Sequence, residues 1–187
     1  MDGLFFNLKM KKQPLLILSD LWGLDQWYDL YTERLSHFFN VQLIDCCELG
    51  GIVKIPLEEK SLHHQFINGG INQAVNRLNE IIESPTHLLG LSVGGSIAWN
   101  CALNNPLIES VTCVSSTRLR KEIVKPSCAT VLYYGEHDIH QPKKDWYQKL
   151  FLSPCITFSN EKHQAYKKPE FINNISNDLI SHFGRNN

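Results

Sequence analysis

Short apolar runs alternate along this chain with longer segments whose apolar residues recur every three or four positions. PLLILSD (14–20) opens the series as a buried strand ending in turn formers. Residues 24–39, LDQWYDLYTERLSHFF, set Trp27, Leu30, Tyr31, Leu35 and Phe38 at helical spacing, and the aromatic stripe Trp27, Tyr31, Phe38 reads as core. VQLIDC (41–46) is the next strand and GGIVKIPLEEK (50–60) a loop. Residues 61–83 read as helix, kinked or divided at Gly69 and Gly70. Strands follow at 86–92, 110–116, 129–138 and 155–160, and helices at 93–104, 143–151 and 169–183, the last with Pro169 near its start. LFFNLK (4–9) is a candidate antiparallel edge strand.

Strands alternating with helices, several of the strands apolar throughout, predict an α/β fold: a mostly parallel sheet with helices on both faces. No repeat, linker or low-complexity stretch divides the chain, and 187 residues suit one domain spanning 1–187. A domain of that size buries roughly 70% of the surface its unfolded chain exposes, enough for a full core. In such sheets ligands bind at the carboxyl ends of the strands. Chemistry is therefore sought at 19–23, 45–51, 92–95, 115–118, 135–140 and 160–164.

Charge narrows the partners. Lys plus Arg number 18 and Asp plus Glu 19, a formal net charge of −1, so nothing global points to nucleic acid or a membrane surface. No apolar run approaches the ~20 residues of a membrane span. The start, MDGLFFNLKMKKQP, has its acid before the apolar patch and its lysines after it, the wrong order for a secretory signal. Six cysteines are scattered without a CxxC, which argues against a zinc site. The expectation is a reduced, cytoplasmic protein with no metal and no cofactor. Cys46-Cys47 has no basic neighbour in sequence to lower a thiol pKa and is taken as structural.

The informative stretch is THLLGLSVGGSIAWN (86–100). Gly90-Leu91-Ser92-Val93-Gly94 matches G-x-S-x-G, in which a sharp strand-to-helix turn displays the serine and small neighbours avoid collision. The helix behind it offers N-terminal amides to a developing oxyanion. Alone, the motif fits a displayed nucleophile or a tight glycine-rich connection equally well. A serine hydroxyl needs a base. Of eight histidines, His163 alone follows the last strand and precedes a helix. Asp138, just past a strong apolar strand in VLYYGEHDIHQP, is the carboxylate that would orient it, with Glu136 as competitor. The order Ser92, Asp138, His163 is that of a hydrolase built on this fold.

Five segments in order carry a resemblance to the α/β-hydrolases: LILSDLWG, VQLIDCCELGG, GLSVGG, GEHDIHQP and EKHQAYKKPEFINNISNDLISHF. The resemblance covers nearly the whole chain and implies an oxyanion hole made by the backbone N–H groups of Leu21 and Val93. Two positions depart from the common pattern. Ser19-Asp20 stands where many members carry His-Gly, and Asp20 is expected to turn aside and cap a turn. Asn160-Glu161-Lys162 replaces the usual glycine before the histidine. Only Thr117 to Cys128 lies where many members insert a helical cap, so a minimal cap and an open site are expected. In size the chain resembles the compact serine hydrolases of the retinoblastoma-binding-protein type. It also resembles the small bacterial esterases that demethylate carrier-bound pimeloyl esters.

The resulting expectation is a serine hydrolase for carboxylic esters or thioesters, acting on a small-molecule ester or acyl substrate. Two alternatives stand beside it: an esterase for esters on an acidic carrier protein, and a non-catalytic binding protein on the same fold. STRLRKEIVK (116–125) bears on the first, because Arg118, Arg120, Lys121 and Lys125 would suit an acidic substrate or carrier, although charge runs more often face water. Arg118, closest to its strand end, is the best substrate contact of the run, and Trp22 either lines the pocket or packs on the first helix with Trp27.

Overall fold

The computed structural model describes residues 12–184, so the candidate edge strand at 4–9 lies outside the described residues. Six strands, β1 (Pro14–Leu18), β2 (Asn40–Ile44), β3 (Thr86–Leu91), β4 (Ile108–Val114), β5 (Ala129–Gly135) and β6 (Ile156–Phe158), form one sheet in the order β2-β1-β3-β4-β5-β6. Every neighbouring pair is parallel.

Period-two alternation sorts the side chains onto two faces. Leu16 and Leu18 of β1 pack with Leu88, Val111, Cys113 and Tyr134 on one face. That face is covered by α2 (Cys46–Gly50), α4 (Ile71–Ile81), α5 (Val93–Asn104) and α6 (Lys144–Lys149). Leu15 and Ile17 pack with Leu89, Leu91, Val114 and Tyr133 on the other, under α1 (Asp29–Leu35) and α7 (Pro169–Phe183). The middle strands β3 and β4 are buried almost throughout because both their faces are covered, and they carry His87, Ser110 and Thr112 among their apolar residues.

Some boundaries differ from the sequence reading for local reasons. The segment 24–39 is a 3-10 turn at Gln26–Tyr28 followed by α1, which ends at Leu35. Phe38 therefore leaves the helical face and is 39% exposed, while Phe39 takes the core position. The segment 61–83 divides as expected: α3 (Glu59–Gln65) and α4 are separated by a π-type turn in which Gly69 takes φ 126°. The short helix α2 is an addition. Asp45 caps it through the amides of Cys47 and Glu48, and Gly51 closes it in the left-handed region. Between β4 and β5 there is one 3-10 turn, Thr117–Lys121, and no cap domain.

Sheet order decides where a ligand can go. The chain leaves β1 toward β2 on one side and returns to pair β3 on the other, so the crevice between the carboxyl ends of β1 and β3 is the topological switch point. Both Asp20-Leu21 and Ser92 stand at that crevice.

His87 lies within β3 and is buried. Its Nδ1 is 2.8 Å from Ser110 Oγ and its Nε2 2.8 Å from Gln13 Oε1, and its ring stacks on Phe183 at 5.1 Å. The amide oxygen can only accept, so Nε2 carries the proton and Nδ1 accepts from Ser110. Burial pushes the pKa of His87 below its ordinary value. The unfolded chain gains a proton near pH ~6.5 that the folded chain resists, so this group costs stability as pH falls through that value. The urea midpoint should drop between about pH 7.5 and 5.5, and drop less in His87→Gln; equal drops would show that another group carries the effect.

Candidate active site

The site begins with the backbone of Ser92. Its N–H still belongs to the sheet, donating to Val114 O at 2.8 Å, and α5 starts at the next residue. Between them Ser92 takes φ 53° and ψ −113°, a conformation that costs an L-residue about 1–3 kcal/mol. Two close approaches enforce it. A Cβ on Gly90 would strike the backbone of Gly94 and Gly95, and one on Gly94 would lie 2.5 Å from Leu18 O and Ser19 O. The glycines let β3, α5 and β1 meet, and the serine side chain is left at the rim of a cavity.

His163 arrives from the far edge of the sheet. His163 Nε2 is 3.1 Å from Ser92 Oγ, and His163 Nδ1 is 2.8 Å from Asp138 Oδ2. Asp138 is 3% exposed and His163 37%. The carboxylate also accepts from the His140 amide through Oδ1 at 3.1 Å. Because an ionised carboxylate only accepts, Nδ1 carries the ring proton and Nε2 presents its lone pair to the hydroxyl. The competitor, Glu136, is engaged elsewhere and accepts from the Asn160 amide at 2.8 Å. Asn160 itself sits at φ 59°, the left-handed turn that a glycine would otherwise make. A Cβ on Gly135 would lie 2.5 Å from Glu161 O and Lys162 O, so the end of β5 must be bare for this loop to cross it.

Leu21 and Val93 both border the cavity with Ser92. Neither backbone N–H donates to another described residue. Val93 opens α5, where the helix end adds partial positive charge. Cys47 lies beneath: its thiol donates to Leu21 O at 3.3 Å, and burial followed by the nearby Asp45 charge pushes its pKa up to about 12. Trp22 and Arg118 also border the cavity, while Trp27 packs on Tyr28, Tyr31 and Tyr166.

Asp20 is 1% exposed. Its Oδ1 accepts from the Trp22 amide at 3.0 Å, forming an Asx turn that shapes the Leu21 loop. Its Oδ2 accepts from Tyr166 Oη at 3.1 Å and pairs with Lys167 Nζ at 3.0 Å. The charge beside the Leu21 amide is thus matched by a cation. Burial, and then the Asp20 charge, push the Tyr166 phenol well above its ordinary value, so it stays protonated and donates. Sequence reading missed Tyr166 and Lys167. The 3-10 turn at His163–Lys167, which sets the Tyr166 ring 6.1 Å from that of His163, left no signal in the sequence.

The cavity holds about 940 Å³. Phe66, Ile67 and Ile71, from the π-type turn and α4, form an apolar wall that sequence reading did not assign to the site. Among the described residues no group of three or more His, Cys, Asp or Glu side chains is placed to hold a metal ion. No helix among them is long and apolar enough to cross a membrane.

Comparison with solved structures identifies the architecture. A Klebsiella pneumoniae protein assigned as a dienelactone hydrolase superposes with a TM-score of 0.76 at 12% identity, over 97% of this chain and 90% of that one. An α/β-hydrolase enzyme, MGS-MChE2, from the metagenome of Mar Chica lagoon sediments gives 0.67 at 17% identity, over 91% of each chain. Est1E of Butyrivibrio proteoclasticus with ferulic acid bound gives 0.64 at 12% identity, over 93% and 91%. The chain has the α/β-hydrolase fold. No family model and no curated protein matches its sequence.

Asp20→Ala should destabilise the protein by about 3 kcal/mol in urea unfolding, because it strands Lys167 and the Trp22 amide together. Asp20→Asn, which keeps an acceptor for Trp22, should lose less. Equal losses would remove the turn-shaping role given to Oδ1.

Proposed function

We propose that this protein is a serine hydrolase that cleaves carboxylic esters or thioesters through an acyl-serine intermediate. The observation that carries the reading is the unbroken run of contacts from Ser92 Oγ through both nitrogens of His163 to Asp138, opening onto a cavity beside two undonated amides. The Est1E complex, whose bound ligand is a carboxylic acid, is in keeping with the class of product.

On this reading Ser92 Oγ attacks the carbonyl carbon while His163 Nε2 takes its proton. The carbonyl π pair moves onto oxygen, which the Leu21 and Val93 amides hold. As the tetrahedral centre collapses, the alcohol or thiol leaves with the proton from His163. Water then attacks the acyl-serine with His163 again as base, and the carboxylic acid departs as Ser92 regains its proton. Asp138 keeps the productive tautomer and stabilises the imidazolium without taking its proton.

A binding protein on the same fold is the reading from another class. Its two supports in the sequence were Asp20 and the missing glycine before His163. The pairing of Asp20 with Lys167 and the left-handed turn at Asn160 remove the force of both.

A fluorophosphonate probe should label wild-type protein and leave Ser92→Ala unlabelled. With p-nitrophenyl acetate and butyrate, Ser92→Ala or His163→Ala should lower kcat by about 10⁴-fold or more, and Asp138→Asn by about 10⁴-fold. Labelling that survives in Ser92→Ala would sink the assignment.

A further inference from the structure

Five cationic side chains border the cavity at Ser92: Lys60 from α3, Arg118, Arg120 and Lys121 from the turn after β4, and Lys162 beside His163. Only two carboxylates border it, Glu59 and Asp138, and Asp138 is engaged by His163. None of the five cations forms an ion pair with a described residue. Arg120 alone has a side-chain hydrogen bond, to Thr117 O. Across the chain the charges balance, 18 against 19, so this excess is local. Like charges around one low-dielectric concavity focus a positive potential into it.

The lip is built rather than loose. Leu119 is fully buried at the centre of the turn, and Tyr134 Oη donates to Ser116 O at 3.0 Å. Arg118 is half-buried, whereas Lys125 of the same run turns elsewhere, to Phe151 O. Arg118 also borders a smaller adjoining hollow of about 230 Å³, together with Phe66, Ile67 and Ile71 of the apolar wall, Asn72, Asn100 of α5 and one carboxylate, Glu122. Ser92, Ser96 and Asn100 follow one another at four-residue intervals along α5. The first two border the main cavity and the third the hollow. Arg118 thus borders both the cavity onto which Ser92 opens and the hollow reached further along α5.

Resting on the hydrolase reading, we propose that the preferred substrate is an ester or thioester whose acyl chain ends in a carboxylate. The acyl chain would run through the cavity that Ser92 and Arg118 both border. The aliphatic stretch lies against Phe66 and Ile71. The terminal carboxylate meets the Arg118 guanidinium, which can donate to both its oxygens. Lys60, Arg120 and Lys121 supply the surrounding field. The sequence suggested a solvated charge run as the commoner case; the fold brings cations from three separate segments to one cavity.

The test compares p-nitrophenyl half-esters of adipic and suberic acid with p-nitrophenyl hexanoate and octanoate, at about 20 and 200 mM salt. Wild-type kcat/KM should favour each half-ester over its neutral partner by about tenfold or more at low salt, and the ratio should narrow at high salt. In Arg118→Ala the ratio should fall by about tenfold, and in the double variant Arg118→Glu, Arg120→Glu below one. Unchanged circular dichroism would separate this from misfolding. Fluorophosphonate labelling in the same samples keeps the two readings apart. No labelling and no turnover of any ester overturns the hydrolase reading and this one with it. Labelling with equal kcat/KM for half-esters and neutral esters overturns this one alone. A charge effect confined to an ester carried on an acidic acyl carrier protein also overturns it, in favour of the carrier esterase.

Discussion

The positive φ at Ser92 is the constraint on which the rest of the site depends. The residue belongs to the β3–β4 ladder through its N–H and to α5 through its carbonyl, which accepts from Gly95 at 3.2 Å. The turn between them leaves the side chain nowhere to go but the crevice at the strand ends. It also makes Val93 the first helical residue, with its amide directed away from the helix. The strain persists because its alternatives are blocked by packing: relaxing Ser92 would move α5 away from Leu18 and Ser19, against which Gly94 is seated. The displayed serine hydroxyl, the undonated Val93 amide and the approach of β1 thus follow from one tight turn.

The second constraint is distance across the sheet. Ser92 follows the third strand in spatial order and His163 the sixth, so at ~4.8 Å per strand His163 must be carried back about 14 Å. Three devices hold the crossing loop. Asn160 turns it and is held by Glu136, the bare Gly135 lets it pass over β5, and the His137 amide donates to Glu161 O at 2.7 Å. Its far end is received by Asp20, through Tyr166 and Lys167. The same carboxylate shapes the Leu21 loop, so the His163 loop and the Leu21 loop share one buried anchor. This is how an aspartate can stand where many α/β-hydrolases carry His-Gly: its charge is matched locally and its oxygens organise both loops.

The fold was legible because the strands announce themselves as short apolar runs and the helices as periodic ones. The contact between Ser92, His163 and Asp138 was legible because each follows a strand and their order along the chain fits the fold. What sequence hid was of three kinds. Phe38 and Phe39 exchanged places because a helix end moved, and pattern fixes ends poorly. The partners of Asp20 lie 146 and 147 residues away, beyond any local spacing. The apolar wall of Phe66, Ile67 and Ile71 depends on how a π-type turn aims its side chains, and Gly69 revealed only that a break would occur.

An uncapped site sets its own electrostatic terms. With nothing but a 3-10 turn between β4 and β5, water reaches Ser92 and His163, and the gain that water exclusion gives enclosed enzymes is reduced. On the proposed hydrolase reading, stabilisation of a developing oxyanion falls to groups already fixed before substrate binds, which the Leu21 and Val93 amides are. The same openness weakens exposed charges, since salt screens beyond ~8–10 Å. Half-buried Arg118, set over an apolar wall, escapes more of that screening than exposed Arg120 or Lys121. Exposed lysines and arginines can raise the local concentration of an anion, whereas a half-buried guanidinium can fix its position. On the proposed reading, an acyl chain that must lie still over Ser92 without a cap is steadied by an anchor at its far end, as enclosure does elsewhere.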